Sequence, residues 1–95
     1  MNVKLIKSPK KDKKFRVIFE NGRHVDFGGA GYSDYTLHKD RNRMKRYEIR
    51  HKNSENWNKS GIYTAGFWSK WYLWHKPTKN EARIFIQKKF NIIIN

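Results

Sequence analysis

Between Thr64 and Trp74 the chain reads TAGFWSKWYLW, which brings Phe67, Trp68, Trp71, Tyr72 and Trp74 into eleven residues. On a helix, Phe67, Trp71 and Trp74 share one face at i, i+4 and i+7, and Trp68 with Tyr72 widens the stripe on one side. A helix lying on a surface needs a narrower stripe than this. The run therefore predicts a central helix on which the rest of the chain packs. A second reading leaves part of the stripe open as a partner-binding surface. Large aromatics supply the area that a small core needs, which favours burial.

Ninety-five residues make one domain near the small end of what a single core supports. The chain has no cysteine, so neither disulfides nor a cysteine-based zinc site can staple it, and a reducing compartment fits. No apolar run approaches the ~18 residues of a membrane span. The opening MNVKLIKSPKKDKK has no secretory h-region, so neither a membrane partner nor secretion is expected.

Charge is the dominant global property. Twenty-two Lys and Arg face eight Asp and Glu, a formal charge of +14. So large an excess points to a polyanionic partner such as DNA, RNA or an acidic protein face. Drift towards Lys and Asn in an AT-rich genome is the competing explanation. It does not account for the scarcity of acids.

Taken in order, Val3–Ile6 is a candidate strand, and KSPKKDKK (Lys7–Lys14) is a polar connector that Pro9 and like charges keep irregular, suited to a flexible basic arm. Phe15, Val17 and Phe19 alternate with Arg16, Ile18 and Glu20. Asn21-Gly22 then supplies type I′ turn residues, and Val25 and Phe27 resume the alternation with His24 and Asp26 on the other face. This predicts a β-hairpin over about Lys14–Phe27, with Val3–Ile6 or the tail Asn91–Asn95 as a third strand. Gly28-Gly29-Ala30-Gly31 lacks the spacing of a phosphate-binding loop and reads as a tight corner. Ser33 or Asp34 caps a short helix to about Lys39.

Asp40 caps the next helix, RNRMKRYEIRHK (Arg41–Lys52). Met44, Tyr47 and His51 form its inner stripe. Arg43, Arg46 and Arg50 occupy one flank, and Arg41, Lys45 and Lys52 the other, with Glu48 the only acid. A solvated amphipathic helix usually mixes both signs, so a polyanion contact is placed here. Trp57 is expected to plug the polar loop that follows onto the core. Pro77 ends the aromatic run, and the capping box Thr78-Lys79-Asn80-Glu81 opens a last helix to about Phe90, with Ala82, Phe85, Ile86 and Phe90 inward.

Catalytic patterns are weak. His24, His38, His51 and His75 stand far apart with no metal-ligand spacing, and no cofactor motif is present. Asp26, Asp34, Asp40 and Glu48 would have to converge to form a nuclease cluster. The affirmative pattern is cations beside aromatics: Arg43, Arg46, Arg50, Lys70 and Lys76 near Trp68, Tyr72 and Trp74. Cations neutralise phosphates, and exposed rings stack on unpaired bases. Nothing in this pattern encodes base readout.

The runs GGAGYSDYTLHKD (Gly28–Asp40), RYEIRH (Arg46–His51), ENW (Glu55–Trp57), SGIYTAGFWSKWYLW (Ser60–Trp74) and KPT (Lys76–Thr78), with the preceding VIFENGRHVDFG, occur as a set. Together they resemble a small uncharacterised protein family of nucleocytoplasmic large DNA viruses infecting algae and protists, over roughly Phe15–Phe90. The resemblance implies a viral protein located in the virion, or in the host cytoplasm or virus factory during infection. It carries no catalytic residue or cofactor with it.

These readings converge on a single α+β domain. An N-terminal hairpin or small antiparallel sheet packs on about three helices, the aromatic helix central. Residues 1–14 form a basic strand or arm, 15–90 the core, and 91–95 a tail or short strand. The expected function is a non-enzymatic, virion-associated protein that binds polyanions, viral DNA foremost, without base readout. The expected binding residues are Arg41, Arg43, Lys45, Arg46, Arg50, Lys52, Lys70 and Lys76, with Trp68, Tyr72 and Trp74 for stacking or docking. The alternative is a minor capsid or cement protein docking on acidic faces of capsid proteins through its aromatic surface.

Overall fold

A computed structural model describes Met1–Asn95 throughout. The alternation read over Phe15–Phe27 builds strands β2 (Lys13–Phe19) and β3 (His24–Gly29), paired antiparallel with Phe15 opposite Phe27 and Val17 opposite Val25. Strand β1 (Asn2–Lys7) pairs antiparallel with the other edge of β2, and β4 (Ile93–Ile94) lies parallel to β1. Both candidates for a third strand are thus used. The four-stranded sheet runs β3-β2-β1-β4: β1 to β3 form the expected small antiparallel sheet, and β4 adds a parallel edge strand. The fold class is α+β, as the sequence indicates.

Two connections differ from expectation. Lys7–Lys14 is the turn of the β1–β2 hairpin: the Ser8 amide donates to the Lys14 carbonyl, and the Lys13 amide to the Lys10 carbonyl. The Asn-Gly pair does not form a type I′ turn. Only Gly22 has positive φ, at 87°, and the Gly22 amide bonds the Phe19 carbonyl while Phe19 and Arg23 close the loop. That is a three-residue loop with a left-handed glycine at its end. Asn21 stays outside the left-handed region, and its side chain is committed twice: its Oδ1 accepts from the Arg23 amide and its Nδ2 donates to the Tyr63 hydroxyl.

Helices cover one face of the sheet. They are α1 (Tyr35–His38), α2 (Arg41–His51), α3 (Ala65–Trp68) and α4 (Lys79–Phe90). Each begins at a side-chain cap, on Asp34, Asp40, Thr64 and Thr78 respectively. The α3 turn continues without a break into a wider π-helical turn over Ser69–Trp74. This composite aromatic helix is central because it has neighbours on three sides. Towards the sheet, Tyr72 meets Phe15 and Phe27 edge-on at centroid distances of 5.3 and 6.0 Å. Towards α4, Phe67 and Trp71 pack on Phe90, and Trp71 stacks on Phe85. Towards α2, Trp74 stacks on Tyr47. A helix enclosed in this way buries residues all round, including Leu73, which the apolar stripe left out.

The glycine corner after β3 follows from the same packing. Gly28 has φ of 78°, and a Cβ there would lie 2.8 Å from Leu73 Cδ1. Only glycine lets β3 end against the aromatic helix at that angle.

Candidate polyanion-binding face

Helix α2 is anchored by one buried side chain, Tyr47, with Met44 and His51 half-buried beside it. Tyr47 stacks on Trp74 at 4.3 Å with the ring planes 1° apart, and Trp57 lies over it at 6.3 Å and 17°. Burial pushes its phenol well above the usual range, so it stays neutral. Apart from half-buried Glu48, everything else on the helix turns outwards. Arg41, Arg43, Lys45, Arg46, Arg50 and Lys52 are all exposed, and none is in an ion pair.

Of the two flanks read from the sequence, Arg43, Arg46 and Arg50 line a shallow groove of about 320 Å³ with Trp74, while Lys45 and Lys52 line a second hollow with Glu48 and Trp57, which Arg41 does not border. Ile49, 71% exposed, stands on the ridge between them. Arg41 and Arg43 occupy the first turn, where the helix dipole disfavours cations, and no acid accompanies them there. The Asp40 cap is the only counterweight. The Arg43 and Asn42 amides hold its carboxyl below the usual range. Arg43 also reaches inwards electrostatically: burial first, and then the Arg43 charge, push His38 below its ordinary pKa.

The acids meanwhile are occupied elsewhere. Asp26 takes Arg16 at 2.9 Å and Ser8 at 2.6 Å on the open face of the sheet, and Arg16 beside it holds its pKa at about 2. Asp34 takes Lys14 at 2.6 Å and the Thr36 amide. Glu48 takes Lys70. The four carboxylates considered for a nuclease cluster are therefore dispersed, each with its own partners. No group of three or more His, Asp or Glu side chains is placed to hold a metal ion.

Four of the expected binding residues lie elsewhere. Lys70 is only 3% exposed; its ammonium lies 2.5 Å from Glu48 and over the rings of Trp57 and Trp71 at 4.9 and 5.3 Å. It is a structural cation, because the enclosed helix gives its position no route to solvent. Trp68 is fully buried with its Nε1 donating to the Ile62 carbonyl, and Tyr72 is buried under the sheet, so neither forms a stacking or docking surface. Trp74 borders the arginine groove, but one ring face is covered by Tyr47. The fourth, Lys76, is half-buried over Phe85 at 5.0 Å and joins Glu81 and Lys88 in a separate hollow on the α4 side.

The structure adds residues that the motif reading passed over. A cleft of about 570 Å³ opens between α2, the glycine corner and the start of the aromatic helix. Arg43 and Arg50 line it from α2, Lys13 and Lys14 from β2, and Tyr32 from the corner loop. The signal for Lys13 and Lys14 was their density in KSPKKDKK, discounted because the segment read as irregular.

Fold and face together define a small two-layer α+β protein carrying an uncompensated basic helix. The chain belongs to a family of unknown function, DUF5754, whose model matches residues 3–51, from β1 to the end of α2. The aromatic run lies beyond the matched stretch. No curated protein and no solved structure matches the chain. No helix is long and apolar enough to cross a membrane.

Proposed function

We propose that this is a non-enzymatic nucleic-acid-binding protein that holds DNA by its phosphates, without reading base sequence. The observation that supports it is the α2 face: six exposed cations, none neutralised within the chain. At about 1.5 Å per residue, Arg41–Lys52 spans roughly 17 Å, enough to meet several phosphates. Arginine favours this use, since its planar fork matches phosphate oxygens. A viral role, as a virion or packaging component, rests on the sequence resemblance described above. The capsid-docking alternative draws less support, because Trp68 and Tyr72, its expected contact residues, are buried.

The test is fluorescence anisotropy with labelled random-sequence DNA over a salt series. The wild-type protein is expected to bind at low salt, with log affinity falling linearly against log salt. Each phosphate contact contributes about 0.9 to that slope, so Arg43→Ala with Arg46→Ala should flatten it by about 1.8. No binding at low salt, or a slope indifferent to the double substitution, would overturn the proposal.

A further inference from the structure

Of all the aromatic side chains in this protein, only Tyr32 is left exposed, at 76%. It is also held in place. The Tyr32 amide donates to the Gly29 carbonyl, closing the turn, and the Ala30 amide donates to the Asp12 carbonyl, tying the corner loop to the β1–β2 turn. The ring lies against bare backbone: a Cβ on Gly29 would come within 2.7 Å of Tyr32 Cδ2. Gly31, with φ of 86°, supplies the left-handed residue that this turn needs.

An exposed ring on an anchored turn has little to contribute to the core. Its surroundings indicate another use. Tyr32 lines the same cleft as Lys13, Lys14, Arg43 and Arg50, whose volume of about 570 Å³ lies within the range of small-ligand sites. Two acids also line it, and both have basic neighbours: Asp34 is paired with Lys14, and Glu55 lies 3.9 Å from His51 Nδ1. Lys13, Lys14 and Asp34 are shared with a second hollow of about 530 Å³ around the β1–β2 turn, lined by Lys7, Lys10, Lys11 and Lys79. The cleft therefore adjoins the lysine-lined hollow, with Lys13 common to both.

A duplex is a wide convex cylinder whose bases are stacked inside it, so it can touch α2 but cannot fill the cleft. A single strand can fill it, with a splayed base on the ring and flanking phosphates on the cations. We infer that the cleft is a single-strand site in which Tyr32 stacks on an unpaired base while Lys13, Arg43 and Arg50, which no acid pairs, hold the neighbouring phosphates. This rests on the proposed nucleic-acid-binding function and gives it a substrate preference.

The experiment measures anisotropy of a labelled oligo-dT 15-mer and of a 15-base-pair duplex at one fixed salt concentration, with wild type, Tyr32→Ala and Tyr32→Phe. Stacking on one base predicts that Tyr32→Ala weakens oligo-dT binding on the order of 10- to 100-fold while Tyr32→Phe stays within about twofold of wild type. Duplex binding should be unchanged by either variant. A thermal melt of Tyr32→Ala matching wild type shows that the fold is intact. Should Tyr32→Ala leave oligo-dT binding unchanged, or weaken both ligands equally, the single-strand site is wrong and phosphate-directed binding by α2 stands. If wild type binds neither ligand at low salt, the proposed function itself falls.

Discussion

Replacing Glu48 with alanine removes the counter-charge of an ammonium that the fold has enclosed. Lys70 is 3% exposed, so it cannot regain its hydration without loosening the packing between α2 and the aromatic helix. Removing one partner of a buried pair costs about 3–5 kcal/mol. Two features reduce that here. The Glu48 side chain is 36% exposed, so water can enter from its side, and Trp57 and Trp71 keep their rings beside the ammonium. The expected loss for Glu48→Ala is therefore about 2–3 kcal/mol, a fall in Tm on the order of 10–20 °C for a domain of this size. Lys70→Met is different in kind. It keeps the aliphatic volume and leaves behind a carboxylate that water can reach, so it should cost about 1 kcal/mol or less. Adding Lys70→Met to Glu48→Ala should recover most of the loss, and thermal and urea melts of the four proteins make the cycle. Equal, small costs for the two single variants, with no coupling between them, would refute the structural role of Lys70. The same Lys70→Met protein should bind DNA with wild-type affinity and salt slope.

The other predictions concern the corner, the caps and acid stability. Gly28→Ala forces a Cβ to 2.8 Å from Leu73 Cδ1 at a positive φ, and should cost about 2–3 kcal/mol in a urea melt. Gly22→Ala, at φ of 87° but in open space, should cost only about 1 kcal/mol. Thr78→Ala removes the hydroxyl that accepts from the Glu81 amide and should cost about 1 kcal/mol. Acid stability should fall in two stages. Burial, and then the charges of Lys70 and Lys76, push His75 down from 6.5 to about 4, so its contribution is complete above 6.5 and lost as pH falls to about 4. Arg16 holds Asp26 near 2 against an ordinary 3.8, so that contribution is lost lower, as pH falls through about 2. His75→Gln should shrink the upper stage in a pH series of melts, His38 carrying what is left of it, and Asp26→Asn should shrink the lower, which Asp40 shares.

What could be read from the chain was what is decided locally. The β2–β3 hairpin, its inward residues and the caps at Asp34, Asp40 and Thr78 depend on neighbours a few positions away, and all of them were legible. The fate of Lys70 was not, because its partner Glu48 is 22 residues distant and stripe analysis assumes that one side of a helix faces water. The aromatic helix meets the sheet, α4 and α2 at once, so that assumption fails for it. The same enclosure took Trp68 and Tyr72 out of the candidate site. KSPKKDKK was misread for a related reason: like charges and a proline argue against local order, but β1 and β2 pair on either side and hold the turn. Tyr32 had a weak local sign, a large ring between a left-handed glycine and a serine. No pattern in the sequence shows that a ring in such a loop will be the one left uncovered.

Composition drift remains the rival explanation of the charge, and the placement of the arginines argues against it. Drift in an AT-rich genome enriches lysine and asparagine, yet four of the seven arginines stand on one helix of this protein. They are not there for the fold. Tyr47 alone buries deeply from α2, no α2 arginine is in an ion pair, and Arg41 and Arg43 sit where the helix dipole opposes them. Acids are used sparingly, as caps and as partners for Lys14, Arg16 and Lys70. Folding has taken the negative charge it needs and left α2 without any of its own to spare. A helix that carries an electrostatic cost in the isolated chain, and whose side chains are of the type that grips phosphate, recovers that cost only when an anion lies against it.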